Sequence, residues 1–340
     1  MFTKSDIAIS DLTLRVAGQP AGGCQGFCVL ALLGVVGQTG SVSATRVAFE
    51  GEPGPDTGFG AYNLYGGLLV QGNPEIKADV QVIGSRFKNM SEAIRVWGVA
   101  ESRVSIGGSP ADANTFDNHV IGIYIPEADQ SVVNISQNTV VNSDVGMMIV
   151  QNGEWDHQPA NFTIRHNQMT VSGYSSVFNW NTGIVVVDLL PANYGEPASS
   201  FELSNNDIRL ANCPACDGIE VNVTEGAVVT GNKLSGTAVD GIWVWASDGC
   251  MLKANNLLTL TSSWADILLD TDYLDTPSVP TTNCTVVGGD PKNTIWMDSE
   301  STDNTLVGVN NMHRNPPGPS VRNAMLKKAQ MGKGTKALQR

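Results

Sequence analysis

Apolar and polar residues alternate in short runs along most of this chain, and one such run is repeated. In its clearest copy, Phe201–Ile208 reads F-E-L-S-N-N-D-I, and Gly218–Val221 then reads G-I-E-V after a turn. The next copy has Ala227–Leu234 followed by Gly241–Val244, with its asparagine 26 residues and its glycine 23 residues further along. Alternation rich in Val and Ile predicts strands. A repeat this short must bury its apolar side against the next repeat, as in a solenoid.

The repeat extends over most of the chain. Its first anchor, the Asn position, recurs at Leu12, Val47, Ser85, Asn114, Asn138, Asn167, Asn206, Asn232 and Asn255. Its second anchor recurs at Ala93, Gly122, Gly146, Gly183, Gly218, Gly241, Ala265 and Thr294. Second anchors are 23 to 37 residues apart, as expected if loops are inserted into coils of fixed circumference. A sandwich or barrel is an alternative, but neither needs a common motif in register.

This register, N-x-I followed by G-I-x-V, resembles the right-handed parallel β-helix repeat of the pectate-lyase-like superfamily, which includes the periplasmic NosD-like proteins. The resemblance covers roughly residues 6 to 312. It implies an all-β, single-stranded right-handed parallel β-helix of about ten coils, with a ladder of inward asparagines. Their amides can bond the backbone at the turns above and below. The superfamily includes lyases, hydrolases, epimerases and noncatalytic proteins, so the resemblance implies no single activity.

One elongated domain is therefore expected over residues 1–312, followed by a basic tail at 313–340. The tail carries seven Lys/Arg and no Asp/Glu. After the break at Pro316–Pro319, Ser320 can cap a short helix at 320–331 that closes the solenoid; a loose tail is the alternative. Strand-like sequence begins at Ile7 without a preceding signal pattern, so we expect the N-terminal cap and a signal to be missing before Met1.

Charge restricts the partners of this domain. The net charge is −13, and residues 1–312 carry 13 positive against 33 negative side chains, or −20. Such a body should repel nucleic acid, and also a polyanionic sugar unless a cation intervenes. The sequence contains no apolar run of 18 residues, so no membrane span is predicted. Oligomeric state cannot be read from the sequence.

The second strand of each coil gives the clearest functional signal. In G-I-x-V the Ile and Val point inward, so x and the residue after Val point outward. Long segments at 151–160, 188–200 and 271–283 should wall a cleft beside this face. Aromatic platforms beside carboxylates suit a sugar chain, although the loops could instead cover the tryptophans as a satellite core. The predicted substrate-binding residues are Trp243, Trp245, Asn222, Trp296 and, in the first long segment, Trp155.

Outward carboxylates are the candidates for catalysis. Asp270 and Asp298 occupy one column on adjacent coils, about 5 Å apart, and Asp272 and Glu300 repeat this one step further out. Asp270 and Asp298, with Glu220 nearby, are predicted as acid/base groups. The alternative prediction is a calcium site whose ligands are Asp270, Asp298, Asp272 and Glu300. A solvated acidic face without a specific function is the remaining alternative.

Known enzyme motifs are matched only in part. Ile295–Asp298 resembles the Trp-x-Asp-His stretch of pectate lyases, whose Asp binds calcium, but Ser299 stands where that motif has His. The Asn-Thr-Asp and Gly-His-Gly motifs of polygalacturonases and the Asp-Pro-His-Asp motif of alginate epimerases are not found. The sequence therefore favours none of these enzyme families.

The six cysteines form three pairs. Cys24 with Cys28, and Cys213 with Cys216, lie in turns and are predicted as local disulfides, with free thiols or a local metal as alternatives. Cys250 and Cys284 occupy equivalent apolar positions and are expected to stack in the core without chemistry. The whole pattern predicts an extracellular or periplasmic protein that binds, and as a hypothesis cleaves, a polysaccharide as a lyase or glycoside hydrolase. The alternative is a noncatalytic surface, adhesion or NosD-like periplasmic module.

Overall fold

A computed structural model describes residues 6–16, 29–37, 39–52, 64–72, 76–151, 158–172, 181–189, 197–211, 213, 216–272, 278–288, 294–308 and 311–313. Every structural statement below concerns these residues. Trp155, Cys24 and Cys28 lie outside them, as does the tail from residue 314 with its predicted helix at 320–331.

The described strands form two long sheets. The eleven strands of the first sheet are, in spatial order, β1 (Ile7–Ser10), β4 (Gly40–Thr45), β7 (Ala78–Ile83), β10 (Arg103–Gly107), β13 (Val132–Ser136), β15 (Asn161–Arg165), β18 (Ser200–Ser204), β21 (Val228–Thr230), β23 (Met251–Lys253), β25 (Thr285–Val287) and β27 (Thr305–Val307).

The second sheet has fifteen described strands. Its main path is β2 (Thr13–Arg15), β5 (Ala48–Glu50), β8 (Arg86–Trp97), β11 (Thr115–Pro126), β14 (Thr139–Gln151), β16 (Gln168–Val171), β19 (Asp207–Leu210), β22 (Lys233–Trp245), β24 (Asn256–Asp270), β26 (Thr294–Met297) and β28 (Asn311–His313). Beside this path lie β3 (Val29–Val36), β6 (Leu64–Gln71), β17 (Asn181–Asp188) and β20 (Cys216–Asn222). A small third sheet joins β9 (Val99–Ala100) to β12 (Ala128–Asp129), and Pro110–Asp112 forms a 3-10 turn.

Each strand pairs in parallel with the equivalent strand of the next coil. Val132 to Ser136 of β13, for example, pair residue for residue with Asn161 to Arg165 of β15. Parallel neighbours that are one repeat apart in sequence are the arrangement of a β-helix. The repeat therefore correctly predicts an all-β solenoid of stacked coils.

The long strands of the second sheet bend at the position of the repeat that holds Gly, because side chains three residues apart across it, such as Val145 and Met148, pack in one outer cluster. A Cβ added to Gly183 would overlap the carbonyl oxygen of Gly218 in the next coil and the side chain of Ile208. Glycine is thus required where the backbones of successive coils approach each other closely at the bend. The bend divides the sheet into an early half and a late half, and the late half contains the G-I-x-V segments.

Apolar side chains fill the inside of the coils as continuous stacks. Phe49, Phe87 and Phe116 stack with ring centroids 4.5 and 5.0 Å apart. Phe162 and Phe201 form a second stack at 4.9 Å. The inward Ile and Val of the G-I-x-V segments, such as Ile219 and Val221, are fully buried in this core.

The predicted asparagine ladder is present at the first corner. Asn167 shows the pattern: its Nδ2 donates to Ile135 O and to Asn206 Oδ1, and its Oδ1 accepts from the backbone N–H and the Nδ2 of Asn138. The same bonds connect Asn114 to Asn255, coil by coil. Ser85 begins the ladder, since its backbone N–H donates to Asn114 Oδ1. Buried backbone groups at the corner are satisfied in this way.

A hydroxyl ladder at another corner was not predicted. Thr224 N donates to Ser247 Oγ at 3.1 Å, and Ser247 N donates to Thr281 Oγ1 at 3.3 Å. Ser102 and Ser131 make the equivalent bond at 3.0 Å. The residues differ from coil to coil, so the repeat is hard to see in the sequence, but each hydroxyl satisfies one backbone N–H of the preceding coil.

Replacing Asn167 by Ala should destabilise the fold strongly. The change leaves the Asn138 N–H and the Ile135 carbonyl buried without these partners, at about 1–3 kcal/mol for each group. We expect thermal unfolding to begin at least ~4 °C lower than in the parent. Asn134→Ala is the matched control, because Asn134 is a half-buried outward residue of β13, and its melting temperature should change by less than about 2 °C. Equal shifts in the two variants would contradict a supporting role for the ladder.

Candidate functional site

The outward side chains of the G-I-x-V segments form two columns in the predicted register. Glu220 pairs with Trp243 and Asn222 with Trp245, and one coil further Trp243 pairs with Leu268 and Trp245 with Asp270. Towards the N-terminus the first column continues through Val185, Met148, Tyr124 and Arg95, and the second through Val187, Val150 and Pro126. Leu268 pairs with Trp296 at the C-terminal end.

A third outward column precedes the bend, and the sequence analysis did not identify it. Its members in successive coils are Glu92, Ile121, Val145, Thr182, Asp217, Asp240 and Ala265. These side chains contact the first column, because Val145 packs with Met148 and Ala265 packs with Trp243 and Leu268. We call the three columns together the outer face. The only sequence signal for the third column was the acid before Gly in Asp217-Gly218 and Asp240-Gly241.

Much of the outer face is buried, contrary to the expectation of a solvent-exposed strand face. Glu220 is 1% exposed, Trp243 3% and Asn222 6%, while Trp245 and Trp296 are half-buried. Trp243 therefore does not offer its ring as a free platform in this structure. The physical reason is the bend, which turns the third column against the first so that their side chains cover one another.

Tryptophans gather at the C-terminal end of the outer face. Trp243, Ala265 and Leu268 form a buried cluster, and the half-buried Trp245, Trp264 and Trp296 pack against it. The rings of Trp243 and Trp245 lie 6.3 Å apart at 45°. Trp264 was not predicted, since it lies outside a G-I-x-V segment. Three of its tryptophans are therefore partly exposed and rest on a buried apolar base.

Glu220 lies in a polar pocket beside this cluster. The Thr182 hydroxyl donates to Glu220 Oε1 at 2.5 Å, and Asn222 Nδ2 approaches Glu220 Oε2 at 3.4 Å. The Asn222 amide oxygen is buried and has no hydrogen-bond partner. A carboxylate held by a hydroxyl and an amide can accept a hydrogen bond or move a proton on a bound molecule.

Asp217 and Asp240 are structural as well as acidic. Asp217 Oδ1 accepts from the backbone N–H of Asp240 at 3.1 Å, and Asp240 Oδ1 accepts from that of Ala265 at 3.1 Å. Both residues are buried. As in the asparagine ladder, each of these side chains satisfies a backbone group of a neighbouring coil.

Asp270 and Asp298 both accept hydrogen bonds from the backbone of their own turn. Asp298 is only 3% exposed, and its Oδ1 accepts from the backbone N–H of Glu300 at 3.0 Å and from the Thr271 hydroxyl at 3.4 Å. Asp270 is half-buried, and its Oδ1 accepts from Thr271 N at 2.9 Å. Asp298 thus stabilises a turn, while Asp270 retains contact with solvent.

The predicted calcium ligands do not assemble. Asp272 is buried where its backbone pairs with Val279, whereas Glu300 is exposed and accepts from the Ser278 hydroxyl at 2.6 Å. Within the described ranges no three His, Cys, Asp or Glu side chains converge as metal ligands. Such a group is therefore not formed by Asp270, Asp298, Asp272 and Glu300. The spacing of the columns brings their backbones together, but their side chains make hydrogen bonds to nearby residues.

A basic and aromatic group occupies the N-terminal end of the outer face. Arg95 Nη1 donates to Tyr65 at 2.8 Å and lies 3.6 Å from Glu92, while its guanidinium lies 4.9 Å from the ring centroid of Trp97 and 5.2 Å from that of Tyr124. Burial raises the pKa of Glu92, and Arg95 partly opposes this. Burial acts to lower the pKa of Arg95, but Glu92 and Tyr65 outweigh it and the pKa is raised. Arg95 is therefore a cation already paired within the protein.

Four of the described cysteines are joined in two disulfides. Cys213 pairs with Cys216, with Cα atoms 5.4 Å apart. Cys250 pairs with Cys284, with Cα atoms 4.3 Å apart, and so links adjacent coils. The expectation that Cys250 and Cys284 carry no chemistry is thus wrong. Their equivalent positions in successive coils, read for packing alone, also place two thiols within bonding range.

Comparison with known proteins identifies solved structures that resemble this chain in fold. Among solved structures, the chain is similar to a double mutant of the periplasmic alginate epimerase AlgG, with 16% identity and a TM-score of 0.53 over 91% of this chain and 68% of that one. The unsubstituted AlgG gives 15% identity and a TM-score of 0.50 over 90% and 68%. The A-module of the mannuronan C-5 epimerase AlgE6 of Azotobacter vinelandii is a more distant match, with 13% identity and a TM-score of 0.31 over 93% and 88%.

These likenesses define the class of fold. The chain has a right-handed parallel β-helix fold, as its repeat predicts, and shares it with AlgG. No protein-family model matches the sequence, and a search of curated proteins finds no match either. None of the helices in the described part of the chain is long and apolar enough to cross a membrane.

The structural role of Asp298 can be tested by two substitutions. Asn can accept the Glu300 N–H with its amide oxygen, whereas Ala cannot. We expect Asp298→Asn to melt within about 2 °C of the parent and Asp298→Ala to melt ~3 °C or more below it, since a lost buried hydrogen bond costs about 1–2 kcal/mol. Thermal unfolding followed by circular dichroism measures both. Equal, parent-like melting of the Ala variant would contradict this role.

Proposed function

We propose that this protein binds a polysaccharide along its outer face, outside the cytoplasm. The observation that carries the proposal is the group of three half-buried tryptophans, Trp245, Trp264 and Trp296, which lies on the outside of a sheet whose core is on the other side. Half-exposed aromatic side chains with a polar neighbour such as Asp270 commonly mark a binding surface.

The chemistry of the group suits sugars. The ring faces of sugars are apolar and pack on aromatic side chains, while their hydroxyls need acceptors. Asp270 supplies a half-buried carboxylate in the same column as Trp245, and Asn222 precedes Trp245 in that column. The columns run along the solenoid with about 4.8 Å per coil, so a linear polymer can follow them over several coils.

The structural neighbours support this proposal at the level of the fold. Two are crystal structures of a periplasmic alginate epimerase, whose name records a polysaccharide substrate and a periplasmic location. Since identity is 15–16%, the likeness concerns the scaffold, and the binding residues proposed here are those of this chain alone.

Location outside the cytoplasm is supported by the two disulfides, because such bonds persist in oxidising compartments. We expect peptide mapping of the protein secreted or exported by a host cell, alkylated without reduction, to find Cys250 and Cys284 in two linked peptides. Cys213 and Cys216 should lie in one unalkylated peptide whose mass is lower by two hydrogens than that of its reduced form. Recovery of all four cysteines in alkylated form would contradict it. Reduced and alkylated protein provides the control for complete labelling.

Cleavage is a second candidate activity, and Glu220 is the carboxylate that favours it. Glu220 is buried beside the tryptophan group and held by Thr182 and Asn222, as a proton-transfer group needs to be. A noncatalytic surface or adhesion module would use the same face without turnover.

Binding is tested first by the variant Trp245→Ala. Loss of one platform should weaken polysaccharide binding at least ten-fold, because aromatic contacts dominate such surfaces. Affinity electrophoresis or calorimetry against a panel of neutral and uronic polysaccharides gives the constant. The matched control is Met251→Ala, since Met251 is also a large apolar side chain but is 43% exposed on the first sheet. Equal affinity of parent and Trp245→Ala would count against the outer face.

The same panel separates binding from cleavage. Reducing ends report hydrolysis, and absorbance of unsaturated products reports elimination. Product formed by the parent and lost in Glu220→Gln, with binding retained, would establish an enzyme. Binding without product would establish a binding module.

A further inference from the structure

The charges of the outer face are strongly unequal. Its described columns contain one cation, Arg95, and six acids: Glu92, Asp217, Glu220, Asp240, Asp270 and Asp298. Five of these acids lie towards the C-terminal end: Asp240, Asp270 and Asp298 in the coils that carry the tryptophan group, and Asp217 and Glu220 in the coil before them. Charges in a partly buried site are poorly screened, so another anion placed here meets strong repulsion.

The segments that follow these strands in the sequence add no positive charge. The long segments 151–160, 188–200 and 271–283, which follow the late strands, contain six Asp or Glu and no Lys or Arg.

Arg95, the one cation in the described columns of the outer face, already interacts with neighbouring side chains. Glu92 lies 3.6 Å from Arg95 Nη1, Tyr65 accepts a hydrogen bond from the same nitrogen, and Trp97 and Tyr124 lie against the guanidinium. Four coil steps, or about 19 Å, separate Arg95 from Glu220 in the same column. Arg95 is therefore too far away to neutralise an acid group bound at the tryptophans.

An independent feature calls for a hydrogen-bond donor in the ligand. Asn222 is only 6% exposed, its Nδ2 faces Glu220, and its Oδ1 has no hydrogen-bond partner. A buried acceptor without a partner is costly. A sugar hydroxyl can donate to it, and at carbon 6 only the neutral polymer has such a hydroxyl, because a uronate carries an ionised carboxylate there.

From these observations we infer that the outer face selects an uncharged, hydroxyl-rich polysaccharide and rejects polyuronates. This inference rests on the proposed function and goes further by fixing the class of polymer. It also separates this chain from its structural neighbour AlgG, whose name records alginate as its substrate. The shared scaffold would thus present opposite charge preferences.

The test uses pairs of polymers that differ only at carbon 6, namely β-1,4-mannan with β-1,4-mannuronan and β-1,4-glucan with β-1,4-glucuronan, as soluble oligosaccharides. Tryptophan fluorescence of the purified chain reports binding, because the cluster lies on the face. We expect the neutral member of at least one pair to bind ten-fold or more tightly than its uronate partner, with and without 1 mM calcium. Raising the salt from about 20 to 500 mM should strengthen uronate binding and leave neutral binding unchanged, as for screened repulsion.

Two variants sharpen the result. Asn222→Leu removes the acceptor and should weaken neutral binding at least five-fold, and circular dichroism and melting confirm that it is folded. Asp270→Lys replaces a half-buried acid by a base and should improve uronate binding several-fold, which a purely structural effect would not do.

The outcomes separate the two proposals. Uronates binding as tightly as neutral partners, or more tightly with calcium, would overturn the selectivity while leaving the proposed function intact. Absence of binding to every polymer of the panel would overturn the proposed function and the selectivity with it.

Discussion

In-register parallel pairing between coils is the interaction on which the rest of this structure depends. Once β13 pairs with β15 residue for residue, every side chain has an equivalent about 4.8 Å above and below it. Identical or similar residues then stack into columns, and the side chains of one column share the same kind of environment. The phenylalanine stacks, the asparagine ladder and the outer face are all consequences of this single constraint.

Stacking of the coils is most difficult to maintain at the corners, where strands end and backbone groups lose their hydrogen-bond partners in the sheet. Asn167 and its equivalents restore these bonds at one corner, hydroxyls such as Ser247 at another, and Asp217 and Asp240 on the outside of the bend. Each device uses one side chain to satisfy the backbone of an adjacent coil. The disulfide Cys250–Cys284 adds a covalent bond in the same direction.

How far the sequence predicts the molecule depends on whether a feature repeats. The Asn and G-I-x-V anchors recur with the same letters, so the strands, their register and the outward columns could be predicted. The Ser/Thr ladder could not, because Thr224, Ser247 and Thr281 alternate in identity and look like ordinary loop residues. Burial of Glu220 and Trp243 was missed for a different reason. The alternation of apolar and polar residues predicts which side chains point away from the core. Whether such a side chain is exposed to solvent or packs against a neighbouring column depends on the bend at Gly.

That bend also explains why acids and tryptophans can coexist on one face. The third column, with Thr182 and Asp217, turns against the first column and shields Glu220 from water while supplying it with a hydroxyl. Beside it, Trp245 is half-exposed and packs against the buried cluster that contains Leu268 and Trp243. A buried polar strip next to a supported aromatic surface is a stable arrangement only if each carboxylate accepts local hydrogen bonds, as Asp240 and Asp298 do. The acids that hold the coils together therefore also set the sign of the field that any ligand on this face must tolerate.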